Sequence, residues 1–184
     1  FPEPEPRLWR GGRQREAEAE RAVACRRLAA GEPVIVVATP AGLEAPLAAP
    51  AELAAQTFRL ATGDSLDREL LLEALEAAGY ERVDTVVEVG QWSVRGGIVD
   101  IFSPTHALPA RIEFFGDDVE SIRLFDPTSQ RSQAAIDELV VLPLAATSGA
   151  GRLLAYVPAG APAVVDAPKL LEEPGDDAPD RTPL

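Results

Sequence analysis

Methionine is absent from this 184-residue sequence, lysine occurs once, at Lys169, and cysteine once, at Cys25. A chain that starts at Phe1 without any methionine is expected to be a piece of a longer protein. A lone cysteine cannot close an internal disulfide, which fits a reducing cytoplasm. In its alanine-rich helical surroundings that thiol is expected to be buried and inert. Basic residues are also scarce, 17 against 30 acidic ones, for a formal net charge of −13. Such a balance repels phosphate and excludes a broad nucleic-acid-binding surface. No apolar run approaches the roughly 20 residues of a membrane-spanning helix, and no signal peptide is visible. No membrane partner is therefore expected, and the cytoplasm is the expected location.

The motifs of catalysis are missing too. Neither GxxxxGKS nor GxxxxGKT occurs, and no GxGxxG follows a strand pattern; the Gly-Gly pairs at 11–12 and 96–97 are too short to cradle a phosphate. The soft metal ligands Cys25 and His106 lie far apart, and His106, in SPTHALP, reads as a solvated loop histidine. Asp117 and Asp118 sit in a turn, where backbone hydrogen bonding accounts for them. No local motif marks a nucleophile. Neither catalysis nor a bound cofactor is expected within these residues.

What is present is a change of period along the chain. The opening FPEPEPRLWRGG reads as irregular, and residues 14–30 as a helix that Gly31 ends. PVIVVAT, residues 33–39, has the continuous apolar pattern of a strand buried on both faces. Thr39 and Pro40 suit the cap and first turn of a short helix limited by Pro46, and residues 46–55 read as a bridge. TFRLAT, residues 57–62, suggests a strand. A clear amphipathic helix follows, capped by Asp64 or Ser65, with Leu66, Leu70, Leu71, Ala74, Leu75 and Ala78 on one face and Gly79 at its end.

From there the period is two. VDTVVEV (83–89), QWSVRGGIVDIF (91–102), ARIEFF (110–115) and VESIRLF (119–125) read as strands, with turns at Gly90–Gln91 and Gly116–Asp117–Asp118. ELVVLPL, residues 138–144, adds an edge strand. The fold class is thus a partial α/β layer, residues 1–63, followed by an α+β unit, residues 64–144, in which a helix packs on a largely antiparallel sheet. Residues 145–184 read as a return to the α/β piece, with a strand near 163–165, and an acidic, proline-rich tail expected to be disordered.

One residue sits oddly in this pattern. Arg95 immediately precedes Gly96 and Gly97, on the face opposite Trp92 and Val94, and the glycines suggest a bulge. Arg111, Glu113 and Phe115 share one parity, so their side chains share one face. An ion pair with a rim aromatic would explain them; so would a polar patch around an aromatic anchor, the composition of interface hot spots. A structural sheet that binds nothing is compatible with the same pattern.

GYERVDTVVEVGQWSVRGGIVDIFSP followed by ARIEFFGDDVESIRLFDPTSQRS resembles the module shared by the excision-repair protein UvrB and the transcription-repair coupling factor, Mfd. The likeness is strongest over residues 66–132. UvrB has a phosphate loop and a tyrosine-rich hairpin upstream of this module; here only Tyr80 and Tyr156 occur, and VRGG, IVDIF and FDPTSQRS look closer to the coupling factor. The resemblance implies a UvrA-binding domain that recruits UvrA in nucleotide excision repair. It also implies that the same surface is held against a C-terminal domain of the parent protein. RNA polymerase, DNA, ATP and Mg would be engaged only by other domains, the parent being an ATP-dependent DNA translocase. By motif, the resemblance places Arg95, Arg111, Glu113 and Phe115 against UvrA, with Arg82 at the rim. A fragment of UvrB itself is the alternative.

Overall fold

A computed structural model of the chain describes residues 12–144, 149, 151–162 and 164. The expected irregular opening and the acidic tail lie outside these residues, as does the strand near 163–165 apart from Val164, which is exposed.

The first helix, α1, spans Gly12–Ala29. Alanine, glutamate and arginine favour it intrinsically, and Arg26 and Arg27 in its last turn complement the helix dipole. It ends in a Schellman motif: the Gly31 amide donates to Leu28 and the Glu32 amide to Arg27, each over 3.0 Å. Residues 33–39 then run extended, but not as a strand buried on both faces. Val34, Val36 and Ala38 face the helices, whereas Ile35 and Val37 are 96% and 78% exposed. A continuous apolar run cannot distinguish these arrangements.

Helix α2, Pro40–Glu44, is capped as expected, the Thr39 side chain accepting from the Gly42 amide at 3.1 Å. The presumed bridge instead contains helix α3, Pro50–Gln56, whose Glu52 side chain reaches back to the Ala49 amide. Alanine-rich composition with Pro50 at the first position explains it. A 3-10 turn, Leu153–Tyr156, completes this layer, and the Tyr156 hydroxyl donates to the Ala48 carbonyl at 2.8 Å. Cys25, Leu28, Leu47, Leu53, Leu153 and Tyr156 form its core. Gly151 bridges Leu47, and a Cβ there would stand 2.6 Å from the Ala48 carbonyl oxygen, so only glycine permits the approach.

The larger core lies under a six-stranded sheet of β2 Glu81–Arg82, β3 Gln91–Arg95, β4 Ile98–Ile101, β5 Ala110–Phe115, β6 Asp118–Phe125 and β7 Ser132–Ala135, in that spatial order. All neighbours are antiparallel except β2 and β3. Trp92, Val99, Ile101, Ala110, Ile112 and Ile122 line its inner face. They pack on helix α4, Arg68–Ala77, through Leu71 and Leu75. Strand β1, Phe58–Ala61, contributes Leu60 to the same core; it pairs with β8, Glu138–Val141, as a separate two-stranded sheet. The first sequence unit thus supplies a strand to the second.

Three local expectations are corrected. The cap of α4 is Asp67, accepting from the Glu69 amide, because residues 63–66 are taken up by backbone bonds to Asp117 and Val119. Leu70 is 63% exposed rather than on the apolar face. Residues 83–89 form a loop after the two-residue β2, not a full strand and hairpin.

Candidate functional site

The site grows from a turn. Gly96 and Gly97 do not bulge within one strand; they reverse the chain between β3 and β4, with Arg95 paired directly to Ile98. Gly96 has φ +59, and a Cβ on Gly97 would stand 2.8 Å from the Phe114 carbonyl oxygen. A positive φ at the first of two turn residues suits the right-handed twist of the flanking strands. The turn places Arg95 on the last ladder position of β3, facing outward.

Strand register then assembles the outer face. Arg95, Ile98, Glu113 and Ser121 lie in one cross-strand row, and Ser93, Asp100, Arg111, Arg123 and Ala135 in the next. Asp100 is the hub. Its side chain is 1% exposed and accepts from Arg111 Nε at 2.7 Å, Arg111 Nη2 at 2.8 Å and Arg95 Nη2 at 3.1 Å. The two bonds from Arg111 form a bidentate fork, geometry that lysine could not reproduce. The hydrogen bond to Asp100 holds the Arg111 guanidinium above its ordinary pKa.

Other groups lock Arg111 from above and below. Its guanidinium carbon lies 4.5 Å from the Phe125 ring centroid. Two of its nitrogens approach the Gln130 carbonyl and side-chain oxygen, both at 3.4 Å. Gln130 sits at φ +59 in the loop DPTSQ. Asp126 holds that loop by accepting from the Thr128 and Ser129 amides at 3.0 and 2.7 Å. The Ser129 amide and hydroxyl, with the Thr128 amide, keep the Asp126 carboxyl below the usual range.

Part of the outer face is closed. The loop 83–89 drops Val86 onto Phe102 and Phe125, and Gln91 Oε1 accepts from the Val87 and Glu88 amides at 2.9 Å each. The part beyond this loop is open. There the Arg95 side chain is 54% exposed, and Phe115, at the tip of the β5–β6 hairpin, is 75% exposed. Glu113 accepts from the Ser121 hydroxyl at 2.6 Å. Arg111, Glu113 and Phe115 therefore share a face, as parity predicts, and strand register brings Arg95 onto it. Arg82 does not join them: its guanidinium lies 5.3 Å over the Trp92 ring, and its pairing with Trp92 puts it with the inner-face residues at the sheet edge.

Arg111 does form a cross-strand ion pair, but with Asp100, while Glu113 accepts from Ser121. Asp100, Gln130 and Arg123 were missed by sequence reasoning. A carboxylate inside the apolar strand IVDI was the available signal, because a buried acid requires a partner. Elsewhere, burial raises the Cys25 thiol to about 11, the unreactive state expected of it. His106 is half-buried rather than solvated, and burial favours its neutral ring. Among the described residues no group of three or more His, Cys, Asp and Glu side chains could hold a metal ion. No helix among them is long and apolar enough to cross a membrane.

Residues 58–146, which carry this largely antiparallel sheet and its arginine-bearing outer face, match the UvrB interaction domain. The match covers just under half of the chain. Similar proteins include transcription-repair-coupling factors. The one from Myxococcus xanthus is 47% identical over 98 residues, which are 53% of this chain and 8% of that protein. The Escherichia coli (strain K12) protein is 40% identical over 81 residues, 44% of this chain and 7% of its own length. The Bacillus subtilis (strain 168) protein is 35% identical over 128 residues, 70% of this chain and 11% of its own length. The chain thus spans only about a tenth of the relatives it matches, and the resemblance drawn from VRGG, IVDIF and FDPTSQRS is borne out.

Proposed function

We propose that the chain is part of a transcription-repair coupling factor and that its open sheet face binds UvrA, recruiting it to stalled transcription complexes in nucleotide excision repair. The observation that carries this is Arg95: one nitrogen is anchored on buried Asp100, while more than half of the side chain faces outward. A guanidinium already oriented by the fold loses little conformational freedom on binding. Beside it, Phe115 offers an exposed aromatic anchor, and Arg and aromatic groups dominate interface hot spots. Arg111 acts one layer down, positioning Arg95 through their shared carboxylate. Glu113 supplies the acidic element of the patch, and Arg82 stays at the opposite rim.

The residues work by association, without chemistry on a substrate. The sequence contains no phosphate loop that would cradle ATP and Mg, which we assign to motor domains of the parent protein. RNA polymerase and DNA would likewise be engaged by other domains, and a C-terminal domain of the same protein would cover this face until activation. The setting is the cytoplasm. Size-exclusion chromatography of the chain mixed with UvrA, without nucleotide, tests recruitment. Co-elution is expected; independent elution at concentrations well above about 1 μM would leave a structural sheet as the better account.

A further inference from the structure

We infer that Arg123 is a second anchor of this surface, one that selects a partner presenting a carboxylate at a fixed distance from the group gripped by Arg95. The inference rests on the UvrA-binding reading of the sheet face and adds a specificity-determining residue and its chemistry. Arg123 lies directly opposite Arg111 in the β5–β6 ladder and is exposed. Like charges directly opposite each other destabilise a sheet. Arg111 is compensated by Asp100, through two bonds of 2.7 and 2.8 Å. Arg123 forms no hydrogen bond or ion pair with the described residues, and Glu113, diagonal to it by register, accepts from the Ser121 hydroxyl. Among the described residues, therefore, this guanidinium stands opposite a like charge and has no acceptor.

An outside acceptor resolves the imbalance. Three strand spacings and one residue pair separate Arg95 from Arg123, roughly 15 Å in all. Between them lie Ile98, Glu113 and Ser121 in one row and Asp100 and Arg111 in the next, where the Asp100 carboxylate compensates Arg111. Two guanidinium ends at the margins of the patch, in a chain of net charge −13, make a local inversion of sign. Such an inversion steers an acidic surface onto this face and fixes its register, because a partner with one carboxylate satisfies only one end. A basic partner does not fit, because it meets two cations.

The test is a set of UvrA titrations with the whole chain and its Arg123→Ala, Arg123→Glu, Arg95→Ala and Arg59→Ala variants, each with a thermal unfolding curve. Arg59 is paired with Glu138 on the separate β1–β8 sheet and serves as the control. The expected result is that Arg123→Ala weakens binding about tenfold, that Arg123→Glu weakens it further, and that both unfold no earlier than wild type. Raising the salt should weaken wild type more than Arg123→Ala. If Arg95→Ala weakens binding while both Arg123 variants match wild type, the second anchor is overturned and the UvrA-binding reading survives. If wild type itself does not bind, the reading beneath it fails. Earlier unfolding of Arg123→Ala would make the residue structural and also overturn the inference.

Discussion

Asp100 concentrates the physical chemistry of the outer face, because two arginines share its single, buried carboxylate. Removing Arg111 leaves the buried carboxylate with only the 3.1 Å bond from half-exposed Arg95, which costs more than the lost pair contributes. Arg111→Ala is therefore expected to lower stability by about 3 kcal/mol, read by urea denaturation. Arg95→Ala should cost about 0.5 kcal/mol, since that side chain is 54% exposed and the Arg111 fork remains. The two arginines differ in role although the sequence treats them alike. Their common face and common partner both depend on cross-strand register, which no single strand reveals. Cys25 gives a prediction in pH. Its thiol is raised from 9.0 to about 11, desolvation outweighing the attraction of Arg21. The associated stability is fully present below about pH 9 and is lost as pH rises through about 11. Iodoacetamide at neutral pH should label native Cys25 far more slowly than the urea-unfolded chain; equal rates would contradict its burial.

At the scale of elements, glycines mark where period alone misleads. The run QWSVRGGIVDIF scans as one interrupted strand, yet Arg95 and Ile98 face each other across a two-residue turn. Alternation continues through such a turn, so the pattern does not announce the reversal. Gly97→Val should cost about 2 kcal/mol, measured as a lowered thermal midpoint, because its Cβ would press on the Phe114 carbonyl at 2.8 Å. Helix α4 was legible because its glycine and leucines agree. Gly79, at φ +86, lets the Tyr80 amide donate to the Leu75 carbonyl at 3.0 Å, with both side chains buried. Gly79→Ala should cost about 1 kcal/mol by the same measurement. The loop 83–89 misread as a strand because its valines serve a cluster on the outer face rather than a ladder. Side chains of Gln91 and Gln130 supply the bonds that a neighbouring strand would have made.

For the whole molecule, the mixture of helices with a largely antiparallel sheet was readable from the switch of period. The joining of β1 to β8 was not, since the 76 residues between Ala61 and Glu138 leave no local trace of their pairing. The family was legible through resemblance: parity gathered Arg111, Glu113 and Phe115, and only the motif likeness joined Arg95 to them, while neither composition nor parity named a partner. The structure adds a reason for those residues. A buried acid and the DPTSQ loop orient an arginine on the open half of a sheet that is otherwise sealed by its own loop. The most direct test of that account is a calorimetric titration of UvrA with the wild-type chain, Arg95→Ala and Phe115→Ala, all verified as folded. Binding by wild type and a loss of about tenfold or more in each variant is expected. Variants that bind as tightly as wild type would show that the open face is not the surface UvrA meets.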